Sequence, residues 1–311
     1  GHLCIAGADT VSLAKKYGTP LMVMDEQRIR RNFRIYKEAM AKHFGEGSFP
    51  AFASKSFSCK YIYRIAREEN VGIDIVSSGE LYTALEAGFD VSKSFFHGNN
   101  KTDFDINYGI DNGVGYFVVD NMTELDSIDR IARKKGIIQP VILRLTPGID
   151  PHTHASIPTG QVDSKFGIAI ETGQADEAVK YTLSKKNVRL DGFHCHIGSQ
   201  IFDIKPFCDS ADIMIRFVGE VKESLGFDTE ILNLGGGYGG RYIDSDEYLN
   251  IEKTIAQVAS HIKEKCAELD MDMPRILMEP GRSIVADAGL TLYTVGSVKT
   301  ITGYKSYVSI D

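Results

Sequence analysis

Apolar residues along this chain fall into short dense runs, each followed by a stretch where they recur every three or four positions. Dense runs of about four to eight residues read as strands buried on both faces, and the longer periodic stretches as amphipathic helices. The pattern predicts strands near residues 48–53, 72–76, 93–97, 115–119, 140–145, 189–196, 230–234 and 275–279. Helical spacing falls between them, over 59–69, 78–87, 124–135, 176–185, 205–225 and 248–269, with Gly, Asn and Pro at the junctions. Eight strands separated by helices is the count of a (β/α)8 TIM-type α/β barrel. A doubly wound open sheet is the alternative, because alternation alone does not show closure.

Two ends lie outside that count. Residues 19–25 are strand-like and precede a helix rich in Arg and Lys. After Arg282 the chain turns β-rich with alternation, over 290–302, and stops in the apolar run Tyr307-Val-Ser-Ile-Asp311. Such an ending predicts a fragment that lacks most of a second, C-terminal β domain. The expected organisation is an N-terminal segment, 1–25, packed with the β domain, then a barrel over 26–285 and the beginning of the β domain over 286–311. There are no internal repeats and no low-complexity linker.

Composition narrows the function classes. The 311 residues are 43% apolar and 25% charged, ordinary for a protein with a substantial core. No stretch has the roughly 18 consecutive apolar residues of a membrane span, and the start has no basic n-region before an apolar stretch, so neither a span nor a secretory signal is expected. A net charge of −7 and a pI near 5.7 argue against a broad nucleic-acid-binding surface. The five cysteines are scattered without C-x-x-C spacing, which fits reduced thiols and a cytoplasmic location.

Reactive residues gather at the carboxyl ends of the predicted strands, where barrel sites are built. Lys55 follows the first strand; a lysine is ordinarily a solvated charge, but one inside a barrel mouth is partly desolvated and offers a free amine for Schiff-base chemistry. Gly235-Gly-Gly237 follows the seventh strand. A glycine run is often only a turn, yet paired with Gly281-Arg282 after the eighth strand and Gly198-Ser199 after the sixth it makes a phosphate cup. His194 and His196 are two apart on a strand and face one side. That pair is either an H-x-H metal site or, better suited to the lysine, arginine and glycines nearby, one imidazole stacked on a flat ring and one packed in the core. Glu279 ends an apolar strand and needs a partner: an ion pair with Arg282 or Arg144, or a cofactor nitrogen whose proton it holds. Asp74 and Arg144 form a further candidate pair, able to orient the lysine or the ring. His152 and His154 belong to a polar stretch, 151–165, expected as a mobile loop at the mouth.

An amine, a phosphate cup, a stacking histidine and a carboxylate together describe a pyridoxal phosphate site. The chain resembles the alanine-racemase-like, fold-type III decarboxylases, through Phe52-Ala-Ser-Lys55, Asp74-Ile-Val-Ser-Ser-Gly-Glu80, His97-Gly-Asn-Asn-Lys101, Arg144-Leu-Thr-Pro-Gly148, His152-Thr-His154, Gly235-Gly-Gly237 and Glu279-Pro-Gly-Arg282. The motifs are in family order, spanning about residues 19–290. His194-Cys-His-Ile-Gly-Ser-Gln200 and Asp163-Ser-Lys-Phe-Gly167 favour the diaminopimelate decarboxylase branch.

The resemblance implies roles by position. Lys55 would bind the cofactor aldehyde, His196 would stack on the ring, and Glu279 would pair with the pyridine nitrogen. Ser199, the amides of Gly235, Gly236 and Gly237, and Gly281-Arg282 would hold the phosphate, with Asp74 and Arg144 also at the cofactor and Arg282 also at the substrate. No metal is implied. The implied reaction is decarboxylation of meso-2,6-diaminopimelate to L-lysine by a cytoplasmic homodimer. In this family a cysteine proton donor and a tyrosine come from the C-terminal domain, and neither can be matched here. The alternatives are an ornithine, lysine or arginine decarboxylase of the same fold, a non-catalytic regulatory homologue, and, more distantly, a metal-dependent barrel hydrolase.

Overall fold

Parallel strand pairing runs around a closed circuit in the computed structural model, which describes residues 1–149 and 164–311. The strands are β1 (Phe49–Ala53), β2 (Gly72–Ile75), β3 (Ser94–Phe96), β4 (Tyr116–Val119), β5 (Gln139–Thr146), β6 (Val188–His194), β7 (Ile231–Asn233) and β8 (Arg275–Met278). Each pairs with the next, and β8 returns to β1 through Leu277 opposite Phe49 and Met278 opposite Pro50. The closure makes this a TIM-type barrel rather than an open sheet. A register shift between Leu190 and Gly192 lets β6 follow β5; a Cβ on Gly192 would stand 1.8 Å from the Ile231 carbonyl oxygen.

The outer ring comprises α1 (Glu26–Phe44), α2 (Lys60–Glu68), α3 (Ser78–Glu86), α4 (Asp103–Asp111), α5 (Met122–Lys135), α6 (Gln174–Leu183), α7 (Lys205–Leu225) and α8 (Ile251–Glu268). Side-chain caps start several of them: Asp25, Ser77, Asn121 and Asn250 accept backbone N–H groups of α1, α3, α5 and α8. After β8 the chain makes only a short helix, Arg282–Val285, and α1 packs beside α8 and against that short helix. Thus α1, which precedes the barrel in sequence, completes its ring.

Strand pleating divides the interior into two cores. Ala51, Phe95, Val118, Ile142, Ile231 and Leu277 form an apolar plug inside the barrel. The larger core lies between strands and helices and includes Phe33, Phe52, Phe117, Leu143 and Phe193. Outside the barrel, Leu21–Met24 pairs antiparallel with Gly289–Leu292, and Val295–Ile301 forms an exposed hairpin with Lys305–Ile310.

The sixth strand ends at His194, so Cys195 and His196 belong to the loop that follows it. His152, His154 and Asp163 lie outside the described residues, as does most of the expected mouth loop.

Candidate functional site

The plug dictates what lies above it. Side chains two apart on a strand share a face, so the inward residues following Phe95, Val118, Ile142, Ile231 and Leu277 are His97, Asp120, Arg144, Asn233 and Glu279. All five are buried. An apolar floor thus supports a polar layer at the carboxyl end of the barrel.

Glu279 is the hub of that layer. Its Oε1 accepts from His97 Nε2 at 2.8 Å and from Asn233 Nδ2 at 2.7 Å, while Oε2 accepts from His194 Nε2 at 3.1 Å. Burial opposes ionisation of Glu279, but its two histidine partners outweigh burial and hold the carboxyl well below the usual range. Burial pushes His194 down to about 3, so it is a neutral donor. The ion pair of Glu279 with Arg282 or Arg144, open in the sequence, is not formed: histidines and an asparagine take that place.

Glu279 also lines a cavity of about 550 Å³ with Lys55, His196, Ser199, Gly236, Gly237, Gly281 and Arg282. Strand β1 delivers Lys55 on the 3-10 turn Ser54–Ser56, where it is exposed. The turn carries Lys55 past the buried end of the strand to the cavity wall. His196 accepts the Gly236 N–H on Nδ1 at 3.3 Å, and burial, then the Lys55 charge, pushes it well below its ordinary value. No cysteine lines this cavity among the described residues; the Cys195 thiol lies 3.4 Å from Ser210 Oγ, and burial pushes it up to about 11.

Two loops are fastened together at the cavity's other side. Gln200 donates to the Gly240 carbonyl at 2.8 Å and accepts the Gly240 N–H at 3.0 Å, and the Ile201 N–H donates to Gly237. Arg282 Nε donates to Ser199 Oγ at 3.2 Å, and its Nη1 to Tyr242 Oη at 2.5 Å. Gly235 adopts φ +67°, and a Cβ on Gly236 would stand 2.0 Å from the Glu279 carbonyl oxygen. The glycine run is thus required by backbone approach, and that approach aligns the loop beside Ser199 and Arg282.

Three of the sequence candidates stand elsewhere. Gly235 turns its N–H to Asn233 Oδ1 at 2.9 Å, away from the cavity. Arg144 lies over the Phe166 ring at 4.5 Å with its Nε 3.9 Å from Asp120, so it does not pair with Asp74. Asp74 is fully buried; both carboxyl oxygens lack a hydrogen-bond partner, His97 Nε2 is 3.6 Å away, and burial raises its pKa. Sequence reasoning left His97 and Asn233 without a role, although each stands two residues after a plug residue. His97, His194 and Glu279 also place one potential ligand atom each within 4.8 Å of one another. That grouping joins His194 to His97, not to His196 as an H-x-H site would.

This donor set fits pyridoxal phosphate: an amine for its aldehyde, an ionised carboxylate for its ring nitrogen, and a hydroxyl and guanidinium for its phosphate. Comparisons with known proteins point the same way. Residues 26–286 match the pyridoxal-binding domain of the pyridoxal-dependent decarboxylases. The diaminopimelate decarboxylases of Bacillus methanolicus and Staphylococcus aureus are 44% and 45% identical over the whole chain, which spans 72% of each. A solved diaminopimelate decarboxylase from M. jannaschii, in complex with L-lysine, superposes with a TM-score of 0.90 at 37% identity, covering all of this chain and 71% of that one.

Proposed function

This chain belongs to the pyridoxal-dependent decarboxylases, and from that membership we propose that it removes one carboxyl group of meso-2,6-diaminopimelate, giving L-lysine and CO2. The observation that carries this is whole-chain similarity to diaminopimelate decarboxylases in a protein whose Lys55, His196, Glu279 and Arg282 share one cavity.

Pyridoxal phosphate, when bound, supplies an aldehyde for the substrate amine and a ring that takes up the electron pair left by CO2. Lys55 Nζ would be the amine that holds the group by its aldehyde. Glu279 would keep a proton on the ring nitrogen, which makes the ring a stronger electron acceptor. His196, neutral because burial and Lys55 disfavour its charge, would lie against the ring without opposing that proton. Ser199, Gly236, Gly237, Gly281 and Arg282 would bind the phosphate, and Arg282 the substrate as well. Asp74 and Arg144 would support the cofactor from behind.

The proposal extends to organisation: a cofactor-binding barrel over 26–285, with an N-terminal segment, 1–25, packed against a second, β-type unit that begins over 286–311, in a cytoplasmic homodimer without a metal. No helix among the described residues is long and apolar enough to cross a membrane.

The test is a visible absorbance titration with pyridoxal phosphate, borohydride reduction and peptide mapping, followed by turnover of meso-diaminopimelate, ornithine, lysine and arginine side by side. A reduced adduct on Lys55 and preference for meso-diaminopimelate are expected. An adduct elsewhere removes Lys55 from its role, and preference for ornithine, lysine or arginine overturns the substrate. Sedimentation of the protein tests the dimer.

A further inference from the structure

The cluster around Glu279 draws on four strands at once. His97 follows β3, His194 ends β6, Asn233 ends β7 and Glu279 follows β8, so the cluster exists only when the barrel is closed. A carboxylate offers about four acceptor positions, two on each oxygen. His97 and Asn233 fill those of Oε1, and His194 takes one on Oε2. One position is left, on Oε2, and among these four residues only Glu279 lines the cavity.

Two of the three donors are oriented by their other polar atom. Asn233 Oδ1 accepts the Gly235 N–H at 2.9 Å, so its amide cannot flip and Nδ2 must face Glu279. His194 Nδ1 is buried without a hydrogen-bond partner. A proton there would be a stranded donor, so the proton sits on Nε2, toward the carboxylate. The two imidazoles also brace each other edge to face, with ring centroids 4.8 Å apart.

We propose that His97, His194 and Asn233 are positioning residues: as three N–H donors they fix the Glu279 carboxylate so that its one remaining lone pair faces the cofactor's ring nitrogen. The proposal rests on the pyridoxal phosphate reading above and adds to it a rear shell for the acid. Asn233 gives that shell a second connection, because the same amide that holds Glu279 also holds the first glycine of the loop beside Ser199 and Arg282.

The test uses 15N NMR on the protein loaded with ring-15N pyridoxal phosphate. In the unsubstituted protein the ring nitrogen is expected to be protonated. In His97→Ala/His194→Ala that signature is lost and the Kd for the cofactor rises about tenfold, by analogy with loss of hydrogen bonds to a charged group. His194→Gln, which keeps an N–H donor, retains it. Adding His194→Ala to Glu279→Gln leaves Kd within about twofold, because the donors act through that carboxylate. A double alanine variant that keeps a protonated ring nitrogen, or an equal loss of affinity in both backgrounds, overturns the proposal. Should the alanine variants not fold, 15N-histidine spectra of the unsubstituted, cofactor-free protein decide: both Nε2 atoms carry protons, and a bare Nε2 on either residue overturns it. Absence of any bound-cofactor signal in the unsubstituted protein instead defeats the pyridoxal phosphate reading and leaves the histidine result standing.

Discussion

Ser199 and Arg282, 83 positions apart, meet through an Nε–H···Oγ hydrogen bond of 3.2 Å that joins the loop after the sixth barrel strand to the turn after the eighth. The guanidinium is shared, since Nη1 donates to Tyr242 on the loop that follows the seventh strand. One side chain therefore sets the spacing of three loops.

Because this spacing depends on a planar fork of donors, charge alone does not replace it. Arg282→Lys is expected to weaken pyridoxal phosphate binding about tenfold and Arg282→Ala about a hundredfold, within the range for hydrogen bonds to charged groups. Ser199→Ala is expected to fall below Arg282→Ala in effect. Absorbance titrations measure all three; undiminished affinity in Arg282→Ala contradicts the assignment.

Acid sensitivity follows from the buried histidines. Unfolded, His194 takes up a proton near pH 6.5; folded, it does so only near 3. Between those values the unfolded chain binds more protons, so stability falls as pH falls, by up to about 1.4 kcal/mol per pH unit for one histidine. Glu279, held below its usual range, adds loss in the same direction below about pH 4.3, whereas Asp74, raised by burial, opposes it. Urea midpoints between pH 7 and 5 should drop in the unsubstituted protein and drop less in His194→Gln. Parallel profiles for the two would refute the assignment to His194.

A second buried charge pair bears on stability alone. Lys101 Nζ lies 2.8 Å from Glu124 Oε1 and donates to the carbonyls of Gly98 and Val118. Burial pushes the Glu124 carboxyl up, with the Lys101 charge opposing. Lys101→Met leaves that acid unpaired and is expected to cost about 3–5 kcal/mol; Lys101→Met/Glu124→Leu is expected to cost less than the single change. Denaturant unfolding of both variants checks the order, and additive losses would show that the pair acts separately.

Gly236 separates approach from flexibility. Its φ is not in the left-handed region, yet an added Cβ would meet the Glu279 backbone at 2.0 Å. Gly236→Ala is therefore expected to lower Tm by several degrees, as a loss of about 1–3 kcal/mol from overpacking does, and to weaken cofactor binding. By contrast, Gly113→Ala has open space around its Cβ and a strained φ of +74°, so it should cost about 1 kcal/mol or more and leave cofactor affinity unchanged.

The barrel was legible because its strands are buried on both faces: runs such as Ile73-Asp-Ile and Val141-Ile-Leu have no solvent side to interrupt them. The site was legible where chemistry ends a strand, as at Lys55 and Glu279. Partners were harder, because spacing does not say which strand ends face each other across a closed circuit. His97 is 182 positions from the carboxylate it contacts, and in sequence it is only a histidine after two phenylalanines. Arg144 and Asp74 misled in the same way: both end strands, but Phe166 and Asp120 claim the arginine.

The pairing of Leu21–Met24 with Gly289–Leu292 sets an order on biosynthesis. The first of these strands emerges from the ribosome early and its sheet partner only after the whole barrel, a wait of some tens of seconds at about 5–20 residues per second. Met22 and Met24, paired with Thr291 and Gly289, form part of the cavity wall. A nascent chain can thus close its barrel while this wall is still unmade, and the strand that finishes it is translated only after the eighth barrel strand.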